Sequence, residues 1–309
     1  MKSEQPLVSI IVCTYNGEKY LQQQLNSLEN QSYPNIEIII SDNKSMDATP
    51  TIIDSWANGK QNVKLFSAEE KGLNKNFFSA LKKASGEYVI FCDQDDIWLN
   101  NKVEKLIAFY KENNEASMIY CLSKPFSNNI PDRSVIHKHI NYLTGNDVKK
   151  TMIICFTLGH NICIKRELLL SLPEPENEII AYDWWITVSA MCVGSIKCLP
   201  EMLTFWRKHE QNTTTQLITG KFYQNSIKFL QQFYLHPSIS VENKKWIKKA
   251  ITQFDTLQNK QFSISLFLFL MNNANTLFFY KTKKNPILKW ISYTKWCFKM
   301  SKASYSVPV

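Results

Sequence analysis

Three carboxylates, Asp93, Asp95 and Asp96, stand directly behind an apolar run in the stretch VIFCDQDDIW. Carboxylates this close repel one another and raise one another's pKa unless a positive charge lies among them. A divalent cation would supply that charge, because Mg²⁺ and Mn²⁺ take oxygen ligands from carboxylates and substrate phosphates. The stretch contains no His or neighbouring Cys pair, which argues against zinc. As an alternative, Asp95 and Asp96 could stabilise the start of the following helix.

The residues around this stretch alternate between apolar runs and helical patterns. The runs are apolar at nearly every position, which is typical of strands buried on both faces of a parallel sheet. In one intervening helix, Thr49 is expected to be the cap, with Pro50 at the first position and Gly59 past the end. The pattern predicts an α/β fold with a mostly parallel central sheet, whose first strands are 8–13, 36–40, 63–66 and 88–92.

Polar residues follow three of these runs, at the strand ends where open parallel sheets bind ligands. The first run is followed by Thr14, Tyr15 and Asn16, the second by Asp42 and the fourth by the acidic stretch. Neither GxGxxG nor GxxxxGK[ST] occurs in the chain, so the usual phosphate-binding loops are missing. We expect the three polar segments to meet at one edge of the sheet and to handle phosphate differently.

The eight cysteines include no CxxC pair, and most lie in or beside apolar runs. Such positions are typical of reduced, buried thiols in a reducing compartment. The amino terminus has only about seven apolar residues in a row, fewer than a secretory signal or membrane span requires. We therefore expect the catalytic part to be cytoplasmic.

Charge is distributed unevenly along the 309 residues. Residues 1–220 carry 22 Lys and Arg and 25 Asp and Glu. Residues 221–309 carry 14 Lys and Arg but only 2 Asp and Glu. Asparagines interrupt the apolar run 262–280, so it is not expected to span a membrane. The segment 281–302 interleaves lysines with aromatic residues, which suits a helix on an anionic membrane. Alternatively, these helices pack on the catalytic domain or another subunit; no recognition motif favours nucleic acid.

Two segments, VSIIVCTYNGEKYLQQQLNSLENQSYPNIEIIISDNKSMDAT and KGLNKNFFSALKKASGEYVIFCDQDDIW, closely resemble the amino-terminal half of family 2 glycosyltransferases of the GT-A fold. The resemblance implies a Rossmann-like nucleotide-diphospho-sugar transferase fold with a C-terminal helical extension. The implied GT-A catalytic domain is 1–215, with its nucleotide and metal half at about 1–100 and its acceptor half at about 101–215. The basic, aromatic helical region is 216–309.

The resemblance also implies roles for individual residues. The nucleotide pocket would be lined by Thr14, Tyr15 and Asn16. Asp42 would read the base, Asp93 would face the ribose and the metal, and Asp95 would ligate a Mg²⁺ or Mn²⁺ ion that bridges the diphosphate. Many family members carry a second acidic residue where this chain has Asn43, so dTDP-rhamnose and UDP-sugars both stay open as donors.

Three later segments resemble parts of family members that build bacterial surface polysaccharides, rhamnosyltransferase-like members especially. They are TLGHNICIKREL (157–168), AYDWWITVSA (181–190) and FWRKHEQNTT (205–214). The acceptor contacts expected from them are His160, Asn161, Trp184 and Trp185. Each tryptophan could instead pack in the core.

Asp183 is the expected general base, because an inverting transfer needs a carboxylate that accepts the proton of the attacking hydroxyl. Alternatively, Asp183 caps the helix that follows it, and both roles can coexist. Arg207 and His209 begin an Arg-x-His-x-x-Asn pattern that ends at Asn212. They are expected to hold the diphosphate through charge-assisted hydrogen bonds that strengthen as it leaves.

These features predict an inverting, metal-dependent glycosyltransferase that extends a lipid-linked glycan. The predicted pathway is the synthesis of a bacterial surface polysaccharide, such as a capsule or an O-antigen. The enzyme is expected at the inner face of the membrane as a peripheral protein. A sugar nucleotidyltransferase is an alternative, but it would need a glycine-rich, arginine-containing loop where this chain has CTYNGEKY. A non-catalytic sugar-nucleotide-binding or scaffold protein is a third hypothesis, although the metal and base candidates are all present.

Overall fold

A single mixed sheet organises the protein. The computed structural model describes residues 5–127, 141–210, 221–282 and 285–306. The strands in these ranges are β1 (Val8–Thr14), β2 (Ile36–Asp42), β3 (Val63–Ser67), β4 (Tyr88–Asp93), β5 (Ile97–Trp98), β6 (Met118–Phe126), β7 (Ile162–Lys165) and β8 (Ile196–Arg207). Their spatial order is β3-β2-β1-β4-β7-β6-β8-β5.

The first four strands pair in parallel, as their apolar runs predicted. β1 lies between β2 and β4, and β3 pairs with the outer side of β2. The register places Thr14 opposite Asp42 and Cys13 opposite Asp93, so the polar strand ends meet at one edge as predicted. β1 and β4 are buried almost throughout, whereas the edge strand β3 is largely exposed.

The second half of the sheet is mixed in direction. β7 is antiparallel to both β4 and β6, whereas β6 and β8 are parallel. The short strand β5 is antiparallel to β8, with Ile97 opposite Phe205. This pairing brings the acidic stretch after β4 alongside the end of β8, more than a hundred positions further along the chain.

Helices cover the sheet, and one of them begins differently from the prediction. They are α1 (Leu21–Glu29), α2 (Thr49–Ala57), α3 (Leu73–Leu81), α4 (Lys102–Glu112), α5 (Arg166–Ser171) and α6 (Tyr182–Val193). Thr49 is the first residue of α2 and not its side-chain cap. Its N–H donates to Asp47, and its hydroxyl accepts the N–H of Gly17 at 2.7 Å. Gly59 ends the segment with a φ of 78°, a left-handed conformation that suits glycine.

The helices after β8 complete the core of the preceding domain. They are α7 (Phe222–Leu235), α8 (Val241–Asp255), α9 (Ile264–Asn272), α10 (Ala274–Leu277) and α11 (Pro286–Met300). Their buried residues belong to the same hydrophobic cluster as those of α3 and α6. The predicted boundary at 215 lies outside the described residues, and this cluster extends on both sides of it. The packing alternative for these helices is thus supported.

None of the helices in the described ranges is both long enough and apolar enough to cross a membrane. The interrupted run 262–280 illustrates why. It is divided between α9 and α10, which meet at Asn273. The asparagines that argued against a membrane span therefore mark a break between two short helices.

The junction between α6 and α7 gives a test of this shared core. The ring of the fully buried Phe233 lies 5.5 Å from that of Trp184 and 6.3 Å from that of Trp185. Phe233→Ala should lower the free energy of unfolding by about 3–5 kcal/mol, because it leaves a cavity beside both indoles. Urea unfolding followed by tryptophan fluorescence should show one transition that shifts as a whole. Leu235→Ala, at a position 64% exposed, is the matched control. Two transitions, of which only one moves, would contradict a shared core.

Candidate active site

A cavity of about 410 Å³ opens at the carboxyl ends of β1 and β4. Residues from the start of α6 and from the end of β8 complete its wall. The predicted site residues in its lining are Thr14, Tyr15, Asn16, Asp93, Asp95, Asp183 and His209. One cavity therefore contains the candidates for nucleotide binding, metal binding and proton transfer.

The loop after β1 is fixed by polar contacts with two other segments. Asn16 has a φ of 47°, a left-handed conformation that asparagine adopts more readily than most residues. Its N–H donates to the hydroxyl of Ser45, and its side-chain oxygen accepts the N–H of Met46. The N–H and C=O of Tyr15 both pair with the side-chain amide of Gln94, at 2.9 and 3.0 Å. This loop is therefore shaped before any ligand binds.

Asp42 supports that loop from β2. Its carboxylate accepts the hydroxyl of Thr14 at 2.7 Å and both the N–H and the hydroxyl of Ser45. Asn43 lines the cavity, whereas Asp42 is not among the lining residues. Asp42 therefore holds two loops together, and its contact with a base stays a prediction.

The negative charge of the carboxylates after β4 is partly neutralised by a histidine of the protein itself. Nδ1 of the buried His160 lies 3.0 Å from Asp93 Oδ2 and 2.9 Å from Asp96 Oδ2. Burial alone would lower the pKa of His160, but the two carboxylates outweigh burial and raise it to about 10. The imidazole therefore carries a proton and neutralises part of the acidic stretch. His160 is not among the residues that line the cavity, and its contact with an acceptor stays a prediction.

Asp96 does not start a helix, which corrects one alternative from the sequence. It is fully buried, and its Oδ1 accepts the backbone N–H of Arg207 at 3.0 Å. The next helix, α4, begins only at Lys102. Asp96 therefore ties the acidic stretch to the end of β8.

A second buried basic side chain lies behind this cluster. The ammonium of Lys102 donates to the backbone carbonyl of His160 at 2.5 Å and to Thr204 Oγ1 at 2.7 Å. It also lies 3.5 Å from the centroid of the Trp98 ring, and burial lowers its pKa. Lys102 thus fixes the backbone that carries the imidazole.

A hydrogen bond joins Arg207 to the backbone of Asp95. Arg207 does not line the cavity; its Nε donates to the backbone carbonyl of Asp95 at 2.8 Å. Its guanidinium lies between the rings of Tyr20 and Phe126, 4.4 and 4.5 Å from their centroids. Arg207 therefore positions the acidic loop, and its contact with the diphosphate stays a prediction.

His209 remains at the cavity wall, where its Nε2 is 2.6 Å from Asp95 Oδ2. The ring also lies 5.0 Å from that of Tyr20, so it is held from two sides. Asn212, the last residue of the predicted pattern, lies outside the described residues. Of this pattern, His209 is the residue that the structure brings to the cavity.

Asp183 is held at the first turn of α6. Its Oδ1 accepts the N–H of Trp184 at 2.7 Å, and its Oδ2 accepts the N–H of Gly159 at 3.1 Å. Burial raises the pKa of Asp183 to about 6, although these two N–H groups oppose the shift. Such a carboxyl is ionised at neutral pH and is still basic enough to accept a proton. Glycine is needed at 159, because a Cβ there would lie 1.9 Å from Tyr182 Oη.

The remaining acceptor candidates lie away from this cavity. Trp184 and Trp185 are 7% and 6% exposed, and their indole N–H groups donate to the carbonyls of Thr151 and Pro173. Their rings pack in the core, which favours the packing alternative and does not support a sugar platform. Asn161 lines a separate cavity of about 280 Å³.

Three residues that shape the site were not predicted. Gln94 appears in the sequence as a spacer between acidic residues, and Lys102 appears as the polar start of a helix. Tyr182 stacks on Phe77 with ring centroids 3.7 Å apart and lines the cavity. Its position beside Asp183 was the one signal that could have identified it.

The residues present fit a divalent cation. Asp93, Asp96 and His160 lie within 4.8 Å of one another, but the protonated imidazole of His160 already supplies the positive charge in that group. Asp93 and Asp95 also line the cavity together with His209. Carboxylate oxygens with one imidazole nitrogen suit Mn²⁺ or Mg²⁺. Asp93 is common to both groups and is partly exposed, so it offers an oxygen at the cavity wall.

The fold and the cavity agree with the nucleotide-sugar transferase family that the sequence resembles. The family model described as "Glycosyl transferase family 2" matches residues 9–172, more than half of the chain, and the chain belongs to this family. It is therefore an enzyme that transfers a sugar from a nucleotide-sugar donor, as the sequence predicted. This membership excludes the nucleotidyltransferase and scaffold alternatives.

Similar proteins include bacterial glycosyltransferases. The UDP-Glc:alpha-D-GlcNAc-diphosphoundecaprenol beta-1,3-glucosyltransferase WfgD of Escherichia coli is 31% identical over 183 residues, 59% of this chain and 69% of that protein. The structure of S. aureus TarS with UDP-GlcNAc matches this chain with a TM-score of 0.60, and the two sequences are 23% identical. The match covers 96% of this chain and 81% of the TarS chain. The mannosyltransferase PcManGT of Pyrobaculum calidifontis, with GDP-Man and Mn2+, is 18% identical with a TM-score of 0.59, covering 96% and 86%. These two structures confirm the predicted GT-A fold.

A double-mutant cycle tests the buried charge cluster. His160→Gln should cost about 3–5 kcal/mol of unfolding free energy, because it leaves Asp96 as a buried charge without its partner. Adding Asp96→Asn removes that charge, so the double variant should lose about 1–3 kcal/mol less than the sum of the single variants. Urea unfolding at neutral pH measures all four corners of the cycle. Additive losses would contradict an ion pair between the two side chains.

Proposed function

We propose that the protein is an inverting glycosyltransferase that moves a sugar from a UDP-sugar to a glycan hydroxyl by single displacement. The observation that carries this proposal is Asp183, a partly buried carboxyl with a pKa of about 6 in the wall of the cavity that also contains Asp93 and Asp95. Asp183 accepts the proton of the attacking hydroxyl while the nucleotide departs from the opposite face of the anomeric carbon. This route needs no covalent intermediate between sugar and enzyme.

The donor nucleotide is proposed to bind against the loop after β1. Asp42 and Gln94 brace that loop, and the half-exposed ring of Tyr15 offers a face on which a base can stack. The names of WfgD and the TarS complex specify UDP-Glc and UDP-GlcNAc, which makes UDP-sugars the first donors to test. dTDP-rhamnose is the second donor to test, because the sequence resembles rhamnosyltransferase-like enzymes.

The metal is proposed to be Mn²⁺ or Mg²⁺ held by Asp93 and Asp95, with His209 beside them. When bound, such an ion offsets the negative charge that grows on the departing diphosphate. Other side chains of the protein support this site. His160 limits the repulsion between Asp93 and Asp96, and Arg207 holds the backbone of Asp95. Mn2+ in the PcManGT structure supports this assignment.

The acceptor is proposed to be a lipid-linked glycan at the inner face of the cell membrane. The name of the E. coli relative specifies a GlcNAc-diphosphoundecaprenol acceptor, which supports this class. Surface polysaccharide synthesis, as capsule or O-antigen, is the proposed setting. The enzyme would then act as a peripheral membrane protein.

Asp183→Asn tests the base. Transfer should fall by about 10²–10⁴-fold, because the amide cannot take the proton from the acceptor. Binding of UDP should be unchanged, since the cavity keeps its shape. For the unaltered enzyme, kcat/KM should fall about tenfold per pH unit below pH 6, where Asp183 becomes protonated. UDP release measured with UDP-sugars and a GlcNAc-diphospholipid acceptor gives these rates. A variant with full activity would rule out Asp183 as the base.

Asp95→Asn tests the metal site. Its affinity for Mn²⁺ should fall about tenfold or more, because the ion loses a charged oxygen ligand. Isothermal titration with Mn²⁺ and UDP measures this affinity without any turnover. Asp54→Asn, at an exposed position on α2, is the matched control and should bind Mn²⁺ normally. Equal affinities in the two variants would remove Asp95 from the site.

A further inference from the structure

The last helix, α11, is apolar on two sides. Its inward side carries Tyr293, Cys297 and Met300, which are buried in the hydrophobic cluster of the protein. The Tyr293 ring lies 5.7 Å from that of Phe278, so this side is anchored to the preceding helices. An amphipathic helix that only packed on its own domain would place polar residues on the opposite side.

The outward side of α11 is apolar instead. Ile287, Ile291 and Phe298 are 69%, 50% and 47% exposed, and their spacing of four and seven residues places them on one stripe. Leu288 and Trp290 flank this stripe and are 52% and 60% exposed. We call these five residues the outer stripe. Exposed apolar patches of this kind mark interaction surfaces.

The charge around the outer stripe has one sign. No Asp or Glu occurs after Asp255, whereas eight lysines do. Lys289, Lys295 and Lys299 lie on α11 itself, and the ammonium of Lys302 lies 4.5 Å from the centroid of the Phe298 ring. The outer stripe therefore combines exposed apolar side chains with lysine ammonium groups at its edges.

This combination decides between the candidate partners. A second copy of the chain would bring the same lysines face to face, and like charges oppose that contact. Nucleic acid would match the charge but not the aliphatic stripe. The interface of an anionic membrane matches both, because apolar side chains enter the acyl boundary while lysines contact lipid phosphates.

We propose that α11 is a docking helix, which lies in the plane of an anionic membrane with the outer stripe inserted below the lipid phosphates. Tyr293 and Trp296, which the sequence pattern had grouped with the membrane-facing aromatics, pack toward the protein instead. The docking helix deepens the proposal of a lipid-linked acceptor, on which its purpose rests. Its test needs neither donor nor acceptor.

The experiment is co-sedimentation of the full chain with vesicles of phosphatidylcholine alone or mixed with phosphatidylglycerol. The double variant Ile287→Glu/Ile291→Glu should lose at least about tenfold in partition onto the anionic vesicles, because two apolar side chains no longer insert. The control Leu235→Glu/Val241→Glu makes the same charge change at positions 64% and 71% exposed on α7 and α8. It should bind like the unaltered protein, and raising the salt concentration should weaken binding of both.

Several outcomes would overturn the docking helix. Equal binding by the two double variants, or equal binding to neutral and anionic vesicles, would each do so. Self-association in sedimentation velocity that only the outer-stripe variant abolishes would assign the surface to a second copy. Transfer to a soluble acceptor should be the same for both variants. If the unaltered protein binds vesicles but transfers no sugar, the proposed function fails while the docking helix stands.

Discussion

Two carboxylates at the end of β4 share one buried imidazolium, and much of the site depends on that arrangement. Without His160, Asp93 and Asp96 would repel each other in a region of low dielectric constant. With it, Asp96 can stay buried and accept the N–H of Arg207, which in turn holds the backbone of Asp95. The proton on His160 thus lets the acidic stretch stay buried and contact the end of β8, which belongs to the other half of the sheet.

The two halves of the sheet have different tasks. The parallel half provides strand ends whose loops are shaped by hydrogen bonds from Thr14 to Asp42 and from Asn16 to Ser45. The mixed half brings Asp183 and His209 to the same cavity from distant parts of the chain. The loop proposed to bind the donor and the carboxylate proposed to activate the acceptor therefore lie on different segments of the chain.

How far the sequence predicted this structure depended on the range of the interactions. Buried parallel strands produce continuous apolar runs, so β1, β2 and β4 and the meeting of their ends were predictable. The charge cluster was not, because His160 and Asp93 are 67 positions apart and only the fold brings them together. Likewise, paired tryptophans after Asp183 suit either a sugar platform or a core, and only the packing of α7 distinguishes the two.

Because α11 has apolar residues on both sides, the free helix would have no preferred side to offer to a lipid bilayer. Folding removes this ambiguity, since closing the core over Tyr293 and Cys297 leaves a single side for the solvent. In the proposed docking, the outer stripe would face a membrane only after the chain has folded. A misfolded molecule would expose the other side of α11, or both sides, so the proposed docking would select folded molecules.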